Sequence, residues 1–126
     1  MIHGIGADLL DAERIRHGLA RYGEPYADRI LAPAELAGYR ASRDPARFVA
    51  KCFAAKEAFA KAAGTGLRAP VTLRNIAVLR DAQGKPVIEC APELADWLAA
   101  RQVTAHHVSL SDEGDLVLAY VILETA

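Results

Sequence analysis

Several function classes require features that this chain lacks. Among its 126 residues only Cys52 and Cys90 are cysteines, and they form neither a C-x-x-C nor a metal-ligand spacing. A zinc framework or thiol-redox motif is therefore not expected, and a chain of this size builds a core without disulfide staples. No sign of charge dominates: 15 Lys and Arg face 16 Asp and Glu, a formal net charge of −1. That balance argues against a general nucleic-acid coat, so anion recognition must come from local placement of charge. No run approaches the ~20 apolar residues of a membrane span. The opening Met1-Ile2-His3-Gly4-Ile5-Gly6-Ala7-Asp8 has no basic n-region, unlike a signal peptide. Repeats, linkers and biased segments are also missing. These absences predict one soluble domain over residues 1–126, cytoplasmic, with no nucleic-acid or membrane partner.

Local patterns divide the chain into elements. Residues 2–10 read as a short glycine-containing strand. Ala12–Tyr22 reads as a helix stopped by Gly23, and short helical pieces follow at 26–31 and 33–39. The strongest helix signal is Pro45–Ala63, with Asp44 as N-cap, Pro45 in the first turn and Gly64 as the left-handed stop. Residues 73–79 and Pro86–Cys90 read as a hairpin around Asp81-Ala82-Gln83-Gly84, and 92–101 as an amphipathic helix. Residues 106–111 and 116–123 form a last hairpin turning at 112–115. Helices and hairpins mix without βα alternation. The expected fold is α+β, a mainly antiparallel sheet packed on one long helix and several short ones.

The long helix presents two faces. Phe48, Cys52, Ala55 and Phe59 form a core stripe, flanked by Val49 and Phe53. Arg47, Ala50, Ala54, Glu57 and Lys61 form a second stripe, with the alanines leaving open space beneath the charged pair. Alone, Glu57 and Lys61 are an ordinary i, i+4 pair. The frame around them is less ordinary, because the helix runs directly into Gly64-Thr65-Gly66. A helix C-terminus disfavours anions, so a phosphate held there requires Lys61, Lys56 and a metal ion to outweigh it. Asp8 is a candidate ligand, sharing one strand face with Gly4 and Gly6. The glycines are not a dinucleotide fingerprint, since Leu9 occupies the place of the third. Two carboxylates and a lysine are a minimal Mg²⁺–phosphate set. His107, Ser109 and Ser111 line one face of a later strand, and Arg14, His17 and Arg21 form a basic row suited to an acidic partner.

Taken in order, these segments resemble holo-acyl carrier protein synthases, the short bacterial phosphopantetheinyl transferases. The resemblance rests on Gly4-Ile5-Gly6-Ala7-Asp8-Leu9 with Arg14, on Arg47-Phe48-Val49-Ala50-Lys51, and on Phe53 through Gly66. It continues through Gly84-Lys85-Pro86 and His107-Val108-Ser109-Leu110-Ser111-Asp112. It implies Mg²⁺-dependent transfer of 4′-phosphopantetheine from coenzyme A to a serine of apo-acyl carrier protein, with release of 3′,5′-ADP, in fatty acid biosynthesis. By the same resemblance Asp8 and Glu57 bind the metal and Lys61 contacts the transferred phosphate. Gly64, Lys85, Pro86 and His107 meet the nucleotide end of coenzyme A, while Arg14 and Arg21 dock the carrier. It also implies a homotrimer whose active sites are shared between subunits.

The nucleophile then belongs to the partner, in keeping with the absence of a Ser–His–Asp arrangement. Glu57, through a metal-bound water, and His107 are both candidates for the base, and the sequence does not choose between them. The joint presence of Asp8 and Glu57 speaks against a non-catalytic binding module. The lack of a second carboxylate cluster speaks against a phosphohydrolase. Three positions depart from the family pattern. Cys52 replaces a basic residue that helps hold the coenzyme A 3′-phosphate, a loss for which Arg43, Arg47 or Lys51 are candidate substitutes. Ala63 replaces an aromatic, and Asp112 replaces a histidine.

Overall fold

A computed structural model describes residues 1–126. The chain opens with strand β1 (Ile2–Asp11), helix α1 (Ala12–Tyr22) and helix α2 (Glu24–Ile30). A 3₁₀ turn at Pro33–Glu35 leads into the short helix α3 (Leu36–Ala41) and the long helix α4 (Pro45–Ala63). Strands β2 (Ile76–Arg80) and β3 (Pro86–Cys90) follow, then helix α5 (Pro92–Ala100) and the strands β4 (Val103–Glu113) and β5 (Leu116–Thr125). Three strands form an antiparallel sheet in the order β1-β5-β4, and β2 and β3 pair as a separate antiparallel hairpin. The expected α+β class is the one observed.

The three-stranded sheet has one dry face. Ala119, Val121 and Leu123 of β5 are fully buried beneath α4. Their neighbours Leu116, Leu118 and Tyr120 point outward and stay exposed, as do Ile5 and Leu9 of β1. This is the period-two alternation of a half-covered antiparallel sheet. On β1 the inward positions are Gly4, Gly6, Asp8 and Leu10, paired with Leu123, Val121, Ala119 and Val117. A Cβ on Gly6 would lie 1.9 Å from the Ala58 carbonyl oxygen, and one on Gly4 would lie 1.9 Å from that of Ala62. Only side-chain-free residues let this strand rest directly on the helix backbone.

α4 is stopped as its sequence predicts. Asp44 accepts a hydrogen bond from the Arg47 N–H, and Gly64 takes the left-handed conformation at φ 80°. Its interior holds two of the largest fully buried side chains, Lys56 on the helix and Glu35 from the 3₁₀ turn. Lys56 Nζ donates to Glu35 and to the Ile30 carbonyl oxygen at 2.6 Å. Glu35 also accepts from the N–H groups of Ala32 at 2.7 Å and Val78 at 2.8 Å. The carboxylate thus joins α4 to β2 and to the end of α2, with every buried side-chain polar atom partnered. Burial lowers the Lys56 pKa, an effect opposed by Glu35.

Some expectations need correction. Residues 73–75 form a 3₁₀ turn rather than the start of a strand. The Asn75 side-chain amide donates to the Pro70 carbonyl at 2.8 Å and to Glu93, holding this segment curled. The last hairpin is longer than read, and Asp112 and Glu113 belong to β4 rather than to its turn. Asp112 is fixed there by Arg47 at 2.7 Å and Lys51 at 3.6 Å from α4. Ala50 and Ala54 are fully buried, so no open space lies beneath Glu57 and Lys61. Small residues on α4 instead admit close-packed neighbours.

Gly6→Ala is expected to destabilise the protein by about 3 kcal/mol, because the added methyl meets backbone rather than a movable side chain. Urea unfolding checks this, and wild-type stability in that variant would contradict the packing described.

Candidate active site

Asp8, Glu57 and Lys61 are brought together by the β1–α4 contact. Asp8 follows Gly4 and Gly6 on the inward face of β1. Its side chain keeps 18% exposure, enough to stay accessible from solvent. Lys61 bends back over the strand, donating to the Ala7 carbonyl at 2.9 Å and to Asp8 Oδ1 at 3.3 Å. Glu57 lies one turn earlier on α4 and is half-buried. Burial raises its pKa and the nearby Asp8 charge raises it further, while Lys61 and Arg14 pull it down. Two carboxylates sharing one locality with Lys61 and Arg14 make a site that gains from a bound cation. No group of three or more His, Cys, Asp or Glu side chains converges to cage a metal.

The carboxyl end of α4 is less hostile to anions than a bare helix end. The Ala60 carbonyl accepts the N–H groups of Gly64, Thr65 and Gly66 at 3.1 to 3.3 Å, and the Lys61 carbonyl accepts that of Gly64 at 3.0 Å. These bonds occupy carbonyls that otherwise carry the negative end of the macrodipole. Lys56, expected to help hold a phosphate here, is instead buried against Glu35 and unavailable. Its position on the core stripe, four residues after Cys52 and three before Phe59, is the signal that could have revealed this.

His107 lies apart from this cluster. It sits on the outward face of β4 with Ser109 and Ser111, opposite the inward face that carries Asp8, and it hydrogen-bonds Glu124. Lys85 ends the turn of the β2–β3 hairpin and Pro86 begins β3, the strand that packs against β4 at the far edge of the sheet from β1. Asp81 Oδ1 organises that turn by accepting from the N–H groups of Gln83 and Lys85, both at 2.9 Å. One chain therefore brings Asp8, Glu57, Lys61 and Gly64 together at the β1–α4 contact, while His107 stands on the outward face of β4 and Lys85 and Pro86 stand on the separate β2–β3 hairpin.

On α1, Arg14, His17 and Arg21 are exposed as expected. The Arg14 guanidinium lies 5.6 Å from the Phe53 ring centroid, beside the Glu57 end of the cluster, and Arg21 lies over Tyr22. Arg16 turns the other way, to Glu13 and Asp115. Cys52 is buried and faces Glu35 rather than solvent, and burial pushes its thiol pKa up.

The family model for the 4′-phosphopantetheinyl transferase superfamily, ACPS, matches residues 4–121. The chain belongs to this superfamily. A holo-[acyl-carrier-protein] synthase from Thiobacillus denitrificans is 80% identical over 98% of this chain and 95% of its own length. Another from Nitrosomonas europaea is 56% identical over 98% of this chain and 99% of its own. Among solved structures, the synthase of Neisseria meningitidis superposes with a TM-score of 0.96 at 45% identity, covering 99% of this chain and 100% of that one. The synthase of Bacillus anthracis, in complex with coenzyme A (3′,5′-ADP), gives 0.82 at 33% identity, covering 100% and 99%. No helix of the transferase fold seen here is long and apolar enough to cross a membrane.

Because the Asp8 charge raises the Glu57 pKa and Lys61 lowers it, Asp8→Asn is expected to lower the Glu57 value and Lys61→Met to raise it. Carboxyl-carbon NMR titration of the metal-free protein reads both shifts. A Glu57 value unmoved by either change would dismantle the cluster.

Proposed function

We propose that this protein transfers the 4′-phosphopantetheine group of coenzyme A to a serine of apo-acyl carrier protein, releasing 3′,5′-ADP, in fatty acid biosynthesis. The proximity of Asp8, Glu57 and Lys61 at the end of α4 is the observation that carries this reading. The names of the similar synthases and the coenzyme A bound to the Bacillus anthracis structure support the choice of substrates. The serine oxygen bonds to the phosphorus that bears pantetheine. The bond from that phosphorus to the bridging oxygen breaks, and 3′,5′-ADP carries the bridging oxygen away.

The donor set fits Mg²⁺. This ion binds through one or two carboxylates and keeps waters and substrate phosphates in its shell, so it needs no all-protein cage. Asp8 and Glu57 would hold it. When bound, it supplies charge neutralisation on the pyrophosphate and orientation of its oxygens. Lys61 adds a positive charge beside the same oxygens, drawing its position from the Ala7 carbonyl. A positioning and electrostatic role suffices, because phosphoryl-centre transfer asks for little covalent help. The serine proton leaves to Glu57, through a water, or to His107.

The rest of the assignment follows from where the side chains stand. Arg14 and Arg21 offer an exposed basic strip for an acidic carrier. Gly64 belongs to the Lys61 end of the nucleotide path, and Lys85, Pro86 and His107 to a second part of it. His107 lies on the opposite face of the sheet from Asp8, and Lys85 and Pro86 lie on the hairpin beyond its far edge. We therefore assign the complete site to a homotrimer in which neighbouring copies supply one part each. The outward sheet face suits such an interface, since Ile5, Leu9, Leu116, Leu118 and Tyr120 leave apolar surface exposed on it. Of the candidates to replace a basic residue at position 52, Arg47 and Lys51 are already engaged by Asp112. The whole chain, residues 1–126, is read as one transferase domain, working in the cytoplasm.

Incubation with apo-carrier protein, coenzyme A and Mg²⁺ is expected to add one phosphopantetheine to the carrier, read by intact mass. Glu57→Gln should cut turnover at least about a hundredfold. An unmodified carrier with the wild-type protein would refute the transferase reading, and undiminished turnover in the variant would remove Glu57 from it.

A further inference from the structure

His107 is not a solitary imidazole. Its Nε2 lies 2.5 Å from Glu124 Oε1, and the two side chains keep 53% and 42% exposure. The pair forms across β4 and β5. Ala105 stands opposite Glu124, and His107 opposite Ile122. The two residues are therefore diagonal neighbours on the outward face of the sheet, within reach of long side chains. The backbone beneath Glu124 is pinned from both sides. β5 is the central strand, and Glu124 pairs with Ile2 of β1 as well as with Ala105 of β4. The next residue, Thr125, accepts from the Met1 amino group at 2.8 Å and donates its N–H to the Met1 carbonyl at 2.7 Å. A carboxylate on a strand held this firmly is a fixed point for the imidazole ring.

We infer that Glu124 is a positioning residue for the transferase reaction: by taking the Nε2 proton of His107 it fixes the ring so that Nδ1 is the nitrogen presented to the neighbouring copy. The inference rests on the reading of His107 as part of a transferase site shared between copies. Stability does not account for the pair, since exposed ion pairs contribute little to it. The proton geometry does. An ionised carboxylate only accepts, so the bond to Glu124 places a proton on Nε2. Nδ1 is then the working nitrogen, bare in the neutral ring and an N–H in the imidazolium. Either a proton to be accepted or an oxyanion to be contacted meets that one atom, in an orientation that Glu124 sets. A lone carboxylate beside the nucleotide path would oppose the phosphates of coenzyme A, whereas bound to His107 it acts on the ring. Both residues belong to one chain, so the pair is ordered by the fold before copies meet, and substrate binding is spared that cost.

Rates of carrier modification by the full-length protein, read by intact mass, test the inference. Glu124→Ala is expected to lower kcat/KM about tenfold, the worth of one hydrogen bond. Glu124→Gln keeps an acceptor oxygen in the same place and should retain most of the wild-type rate. On a His107→Ala background, Glu124→Ala should cost nothing further, because a positioning residue acts only through the group it positions. Nitrogen-15 NMR gives a readout independent of turnover. Neutral His107 should carry its proton on Nε2, and Glu124→Ala should let the Nδ1–H form appear. Full activity in Glu124→Ala, equal losses with and without His107, or a wild-type His107 protonated on Nδ1 would each overturn the assignment. So would a loss that follows dissociation of the oligomer in sedimentation, since Glu124 would then serve the interface instead. Failure of the transferase reading looks different: the wild-type protein would add no mass to the carrier, while the nitrogen-15 result would stand.

Discussion

The contact between β1 and α4 is a meeting of two backbones, and most of the molecule is arranged around it. Strand and helix ordinarily keep about 10 Å between their axes because side chains fill the gap. Gly4 and Gly6 remove those side chains on the strand, and Ala58 and Ala62 present their carbonyls on the helix. With the strand seated this deeply, the next inward residue, Asp8, emerges beside Glu57 and within reach of Lys61. The same seating fixes the parity of the sheet. Everything in register with the glycines turns toward α4, and the alternate set, including Ile5 and Leu9 on β1 and His107 on β4, turns away.

That parity separates the molecule into two chemical sides. The inner side ends in the acidic cluster and its lysine. The outer side carries His107, and the hairpin with Lys85 and Pro86 lies beyond the β4 edge of the sheet. The buried Lys56–Glu35 pair holds these sides in one rigid body, since Glu35 accepts from Val78 of the hairpin while Lys56 belongs to the helix of Glu57. Buried ion pairs seldom add net stability, because desolvation offsets attraction. Here the pair also receives two backbone N–H groups and serves the Ile30 carbonyl, so that its loss would leave several groups unpartnered at once.

The fold was legible in the sequence wherever one residue type had one local consequence. Asp44, Pro45 and Gly64 mark the bounds of α4, and the alternation from His107 to Ser111 gives the two faces of β4. The grouping of Asp8 with Gly4 and Gly6 was also visible, but its cause was not. A glycine can serve a turn, a ligand or a close approach, and only the helix lying against it decides among these. Long-range partners were least legible. Lys56 looked like a phosphate ligand by proximity to Lys61, although its partner Glu35 stands 21 residues earlier. Asp112 looked like a turn residue because Arg47, 65 positions away, is not a local signal. In the candidate site, the resemblance implied the residue identities, and the structure brings Asp8, Glu57 and Lys61 together. The division of the site residues between two sides of the chain required the sheet.

That division is the central claim, and subunit mixing tests it most directly. Glu57→Gln disables one side and His107→Ala the other, and each variant alone is expected to be nearly inactive. Unfolding the two together and refolding them allows copies to exchange. If each site draws Glu57 from one copy and His107 from its neighbour, the mixture regains activity, up to about a quarter of wild type for random equal assembly. A mixture as inactive as its components would contradict the account.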